Sequence, residues 1–552
     1  MTRSFLKAAM SLLAALILPL SPAFAVEDVT VPVRPGDPSR GVPFWNDYAT
    51  IFRYAPAFSF APVEGAARYR FTVANGPLKK SFEAATPYAA LSPIWRDLPN
   101  QPGYTVTCEG VGADGKVVGK AGERAFTKTA AFEEVRTPPR VRSYREAARM
   151  IYEYITALPA MRTLVETGKP EQTYQHNAYV SKTHAAHINS MLDWAKSDPA
   201  NRERAMRFAK ASAELLLGEL EPPSAPLAYW PPTYGRKPLE CDPAKVGKRP
   251  AMVGNEPEGA VKYRREVMLL YPADVGSAFI RYGRVTGDGR FLAAARGIAD
   301  TYLKVRRADG SWPLKMVLAT GETVGRNTLV PTRVMTFLEA LGEATGKARY
   351  TKAADECFGF LENDSVRTMN WDGQFEDVEP RPPYQDLTKH NAIEAMFQLL
   401  RRYPGDAAKL AVARDLLRFS EDQFVFWEAP CKPGESIPSP GPNARNGSRF
   451  SPGRWDYPSV FEQYSCYIAI DASARKLVRA YLAMWRAAKD PLDLAKAKAL
   501  CDSITRVQKP SGRVPTFWSP HEWLGTETYD WLNCMESAAA ALVECAEAVG
   551  EK

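Results

Sequence analysis

With 552 residues and a formal charge of +8, the chain is mildly basic, yet it carries no Lys/Arg block and no nucleic-acid motif. Its charge therefore points either to acidic glycans or to nothing beyond a solvated surface. Eight cysteines in so long a chain do not make the disulfide framework of a small secreted domain.

At the start, Arg3 and Lys7 precede an apolar run over 8–20 and the small-x-small pattern Ala23-Phe24-Ala25. This is the pattern of a cleaved secretory signal peptide, and the run is too short for a membrane span of about 20 residues. Residues 1–25 are set aside as a leader, and the mature chain is expected to be secreted or periplasmic, without membrane insertion. The leader holds two cations and no acid, so its removal lowers +8 to +6.

From about 27 to 138 the pattern is that of short strands. Arg68-Tyr69-Arg70-Phe71-Thr72-Val73 alternates polar with apolar, as does Tyr104-Thr105-Val106-Thr107-Cys108, and Asp114-Gly115 supplies a hairpin turn. With Pro62-Val63-Glu64-Gly65 before one strand and a closing strand near Phe126, this segment resembles a fibronectin type III or immunoglobulin-like sandwich.

After Thr137-Pro138-Pro139, long amphipathic helices run to the C-terminus. The spacing predicts them at 143–167, 177–196, 200–218, 262–285, 288–306, 328–345, 348–362, 388–402, 407–423, 461–488, 491–507 and 529–550. A turn-helix repeat punctuates them. Thr286-Gly287-Asp288-Gly289-Arg290-Phe291 and Thr345-Gly346-Lys347-Ala348-Arg349-Tyr350 each lead into an Ala-rich helix, and Pro404-Gly405-Asp406, Asp490-Pro491 and Asp198-Pro199 open others. Paired as hairpins, these helices give a mostly α fold, an (α/α)6 toroid behind a small all-β domain, with the first helix closing against the last; an open α-solenoid is the alternative. The organisation resembles the α/α toroids of polysaccharide lyases, several glycoside hydrolase families and uronate epimerases, as do Asp309-Gly310-Ser311-Trp312-Pro313 and Trp371-Asp372-Gly373-Gln374-Phe375-Glu376-Asp377. Domains are thus expected at 27–138 and 140–552.

The long connections, 219–261, 307–327, 363–387, 424–460 and 508–528, would emerge on one face, where functional groups concentrate. They hold Trp230, Trp312, Trp371, Trp427, Trp455, Trp518 and Trp523, which can stack on sugar rings or simply anchor the loops. Cys241 and Cys431 also lie there and can be bridged, whereas Cys357, Cys466, Cys501, Cys534 and Cys545 fall in helical patterns as buried apolar residues.

All five histidines, His176, His184, His187, His390 and His521, fall near this face. His184 and His187 share a helical face at i, i+3, so a metal is conceivable, but no third ligand is identifiable and neither metal nor cofactor is expected. Lys262, Tyr263, Arg264 and Arg265 are expected to open a helix, where its N–H groups would also favour an anion.

These residues suit β-elimination on an acidic polysaccharide or oligosaccharide, a uronate glycan. Arg264, with Arg265 and Lys262, would neutralise the carboxylate; His390 or His187 would take the C5 proton; Tyr263 or Tyr457 would protonate the leaving oxygen; Trp230, Trp312, Trp371, Trp455 and Trp518 would line the cleft. The alternative is glycoside hydrolysis, with Glu376 or Asp377 paired to an acid from another loop, and a third reading is non-catalytic glycan binding.

Overall fold

The computed structural model describes residues 27–551 other than 35, 37–45, 47, 172–173, 237–251, 254–255, 258–262, 377–386, 430–456, 465–466 and 519–529. The leader, Cys241, Cys431, Cys466, Lys262, Asp377, Trp455, Trp523 and His521 lie outside the described residues. Among those described, no helix is long and apolar enough to cross a membrane.

The N-terminal strands are β1 (Ile51–Phe52), β2 (Ala57–Ser59), β3 (Arg68–Asn75), β4 (Leu78–Ala84), β5 (Tyr88–Ala90), β6 (Gln101–Val111) and β7 (Val117–Lys128). Five form a sheet in the order β1-β7-β6-β3-β4, and β2 pairs with β5 apart from it. The alternation foreseen at 68–73 buries Tyr69, Phe71 and Val73 on one side. Asp114 accepts the Lys116 N–H at 3.0 Å in the β6–β7 turn, where Gly115 takes a φ of +83°.

The rest is built from α1 (Tyr144–Ala157), α2 (Pro159–Thr167), α3 (Val180–Ser197), α4 (Arg202–Gly218), α5 (Tyr271–Thr286), α6 (Gly289–Val305), α7 (Thr332–Thr345), α8 (Ala348–Asn363), α9 (His390–Arg402), α10 (Ala407–Phe424), α11 (Asp471–Ala488), α12 (Pro491–Val507) and α13 (Leu532–Ala548). Around the axis α3 packs on α5, α5 on α7, α7 on α9, α9 on α11, α11 on α13 and α13 on α3. The outer partners are α4, α6, α8, α10, α12 and, against α13, α1. The first helix therefore closes the ring against the last: the fold is an (α/α)6 toroid preceded by a β-sheet domain, not an open solenoid.

The short turns work as their residues dictate. Asp288, Asp406 and Asp490 cap α6, α10 and α12 by accepting first-turn N–H groups, each such cap contributing about 1 kcal/mol. Gly287 and Gly346 end α5 and α7 in the left-handed conformation. At Gly276 a Cβ would come within 2.3 Å of the Phe337 ring, so only glycine lets α5 and α7 approach this closely.

Several expected helices start late. Leu158-Pro159 splits 143–167 into α1 and α2, with Pro159 at the first position of α2. Ahead of α5, Glu266–Met268 forms β10, which pairs with β11 (Pro313–Val317), itself paired with β12 (Thr323–Thr328); β8 (Met252–Val253) and β9 (Glu256–Pro257) precede them. Val267 and Met268 are buried by that pairing, and Pro272 sits in the first turn of α5. Tyr263, Arg264 and Arg265 thus precede a strand instead of opening a helix, and the anion site expected at that helix start is not formed by them.

The sheet domain is joined to the ring by a buried ionic cluster. Arg53 donates from Nε to the Ala130 carbonyl at 2.8 Å and from its terminal nitrogens to the Glu421 and Val425 carbonyls, while the Arg53 and Tyr54 N–H groups donate to Asp422 Oδ1. Lys496 of α12 bonds Glu27 at 2.6 Å and both Glu421 oxygens at 2.8 and 2.9 Å.

Candidate active site in the axial cavity

The N-terminal ends of the inner helices surround a cavity of about 400 Å³, and a second of about 560 Å³ extends along the inner helices towards their C-terminal ends. The two share Asp274, Arg333, Arg475 and Lys476 in their walls. Each group is delivered by helix geometry. Lys182 lies in the first turn of α3, Tyr271 and Asp274 in that of α5, Arg333 in that of α7, and His390 is the first residue of α9. An i, i+3 spacing puts Tyr271 and Asp274 on one face of α5.

Glu376 enters from the connection between α8 and α9. Its side chain is 2 % exposed, accepts a hydrogen bond from Tyr271 Oη and pairs with Lys182 Nζ; Tyr234 donates to its backbone carbonyl at 2.9 Å. The loop is tied down by Gln374, which accepts from the Val330 N–H at 2.9 Å and donates to the Thr328 carbonyl at 2.8 Å. Burial works against the charged carboxylate, but the Lys182 charge and the hydrogen bonds from Lys182 and Tyr271 outweigh it and hold Glu376 below the ordinary carboxylate range. The second cavity carboxylate, Asp274, pairs with Arg333. Burial dominates there and pushes Asp274 up despite that partner.

His390 packs its ring 5.5 Å from Phe375, and its Nε2 has no hydrogen-bond partner among the described residues. Burial, reinforced by the charges of Lys476, Lys389, Arg333 and Lys182, keeps it well below the usual histidine value and hence neutral. Beside it, buried Lys389 donates to the Glu462 carbonyl and Ser473 Oγ, each at 2.6 Å, and to the Phe461 carbonyl, fixing the segment that brings Glu462 to the cavity wall.

Of the residues singled out from sequence, His390 and Glu376 meet in this cavity. His187 does not line it: fully buried, it pairs through Nδ1 with Glu536. His184 bonds Ser212 Oγ through Nδ1 at 3.0 Å, and burial holds it down at about 3; the Nδ1 atoms of the two rings thus take separate partners, and both Nε2 atoms are buried without a hydrogen-bond partner among the described residues. Tyr263 lies under Lys315 Nζ, 4.0 Å from its ring centroid, beside the Tyr179–Tyr234 cluster. Arg264 is half-buried and Arg265 exposed, and neither lines the cavity. Tyr457 sits against α12, its carbonyl accepting from Arg506 at 2.9 Å.

The tryptophan platforms are a correction. Trp230, Trp312, Trp371 and Trp518 are between 0 % and 3 % exposed. Trp230 donates to the Ile298 carbonyl at 3.2 Å and Trp312 to that of Tyr302 at 2.9 Å, so their faces are covered by core and unavailable to a sugar. The aromatic walls of the cavity are instead Phe375, Phe517 and Trp531, and Lys182 Nζ stands 4.2 Å above the Trp531 ring. Sequence reading passed over Lys182, Tyr271, Asp274 and Arg333. Their signal was present as polar residues on the first turns of inner helices, where a fully packed helix would be apolar.

No protein-family model matches the chain, and no curated protein matches it. Among solved structures, it is similar to a family 76 glycoside hydrolase from a bovine Bacteroides thetaiotaomicron strain, at 11 % identity over 92 % of this chain and 98 % of that one, with a TM-score of 0.42. A cellobiose 2-epimerase from Spirochaeta thermophila matches at 14 % identity over 72 % and 97 %, TM-score 0.43. An unsaturated glucuronyl hydrolase from Streptococcus agalactiae matches at 10 % over 75 % and 93 %, TM-score 0.41. At such values the assignment of the toroid rests on the chain's own helix packing.

Proposed function

We propose that the protein is a glycoside hydrolase whose reaction takes place in the axial cavity. The observation that carries this reading is the convergence of two carboxylates, Glu376 and Asp274, on one cavity, with Tyr271 bonded to the first and one helical turn from the second. Their environments separate their roles. Asp274, favoured as the acid by burial, would protonate the glycosidic oxygen; Glu376, held ionised by Lys182 and Tyr271, would act at the anomeric carbon, directly or through water. Phe375, Phe517 and Trp531 offer apolar walls to sugar C–H faces. On this reading residues 1–25 direct export, and the N-terminal domain is of the fibronectin III or immunoglobulin type.

The test is product analysis with a glycan library. Saturated reducing ends that disappear in Glu376→Gln support hydrolysis. Products absorbing as conjugated unsaturated uronates, formed by Glu376→Gln as well as by the parent chain, would overturn it in favour of elimination. That second reading draws on the unpartnered Nε2 of neutral His390, which lines the same cavity and is placed to accept a proton.

A further inference from the structure

The charged groups of the two axial cavities pair off almost completely. Lys182 holds Glu376, Arg333 holds Asp274, Arg281 holds Asp193 at 2.6 Å and Arg479 holds Glu544 at 2.9 Å. Two adjacent cations of α11, Arg475 and Lys476, stand outside these pairs, as does the Glu394 carboxylate of α9. Arg475 Nε is buried with no hydrogen-bond partner, and Lys476 has no ion-pair partner among the described residues. Both line the junction of the cavities, facing Asp274 of α5, Arg333 of α7 and Glu394 of α9. Glu394 and Asp274 favour the charged forms through space, but neither forms an ion pair with Arg475 or Lys476. Burial, with Arg333 beside it, still pushes Lys476 down to about 8, and burial with Arg479 lowers Arg475. Burial penalises a positive charge that has no ion-pair partner, so an anion that bonds to it directly is favoured.

We propose that Arg475 and Lys476 form a subsite for an anionic substituent of the glycan, a uronate carboxylate or a sulfate ester, at the junction of the two cavities. This rests on the reading of the cavity as a glycan site and extends it to the substrate class. Enclosed by the ring, with neutral His390 in the same cavity wall, Arg475 and Lys476 are two adjacent donors from which an oxyanion can accept charge-assisted hydrogen bonds.

The experiment uses the full chain and reads binding alone. Thermal unfolding and calorimetric affinity are measured with glucuronate, galacturonate, inorganic sulfate and glucose, against sodium chloride at matched ionic strength. An anion should bind at least tenfold more tightly than glucose. Arg475→Met and Lys476→Met should each weaken that binding by about tenfold or more, the scale of a hydrogen bond to a charged group. Neither substitution should lower the melting temperature of the unliganded chain, since each removes a half-buried charge that has no ion-pair partner among the described residues; a purely structural role would lower it. Tighter binding of uronates assigns the carboxylate, and tighter binding of sulfate the sulfate ester. The proposal is overturned if no anion outbinds glucose, or if anion binding survives both substitutions. Because nothing is cleaved, hydrolysis without anion preference would count against this subsite only, and anion binding without hydrolysis against the reaction only.

Discussion

Tyr271, the first residue of α5, donates a hydrogen bond from its phenol to Glu376, a residue 105 positions later in the chain. That bond and the Lys182 pair make Glu376 a preorganised anion rather than a loop carboxylate free to reorient. Glu376→Gln is expected to lower kcat by at least about 10²-fold. In Tyr271→Phe the Glu376 pKa should rise, because a hydrogen bond to the charged form is lost. The acidic limb of the kcat/KM profile should then move to higher pH, whereas an unchanged limb would show that Tyr271 does not tune this carboxylate.

His390→Ala separates the two chemistries. Under hydrolysis its effect on kcat should stay below about tenfold; a positioned proton acceptor contributes about 10²–10⁴-fold. Steady-state rates on the same glycan decide between them.

Trp312→Ala should destabilise the chain by about 3–5 kcal/mol, as expected for truncating a buried aromatic, while glycan affinity in the molecules that remain folded is unaltered. Loss of affinity without loss of stability in denaturant titrations would restore Trp312 as a sugar platform.

Lys496→Met should cost about 3–5 kcal/mol, because it strands the buried Glu421 carboxylate beside Glu27. Chemical denaturation followed by tryptophan fluorescence would register the loss. A neutral outcome would mean that the junction between sheet and ring is held by apolar packing alone.

The same junction makes a pH prediction. Burial raises Asp422 to about 6, so its protonated form is favoured in the folded chain. Its contribution to stability is fully present below the unfolded value of about 3.9 and is lost as pH rises through 6. Glu421, with burial outweighed by Lys496 and Arg53, is held down at about 2; its contribution is present above the unfolded value and is lost only as pH falls through 2. Asp422→Asn should therefore flatten the fall in stability between about pH 4 and 7, measured by unfolding the parent and the variant side by side.

The repeat of turn and helix was legible in the residues because its causes are local. Asp288, Asp406 and Asp490 cap the helices that follow them, Gly287 and Gly346 end those before, and the period of the apolar residues marks which face is buried. The β6–β7 turn at Asp114-Gly115 belongs to the same class. Helix starts were less legible wherever a strand pairing made elsewhere in the chain competes, as β10 does with the residues before Pro272. The candidate site was mostly hidden, for a physical reason. Whether Trp371 faces a cleft or the core, and whether His187 meets a substrate or Glu536, depends on what the ring places opposite each side chain. Lys182, Tyr271, Asp274, Arg333 and Glu376 come from four parts of the sequence and acquire their charges, partners and enclosure only when the toroid closes. Sequence by itself determined that helical hairpins would repeat behind a β-rich segment; the tertiary structure alone decided that they close into a ring and which charges meet on its axis, because electrostatic coupling depends on separation in space and on burial, neither of which is a property of spacing along the chain.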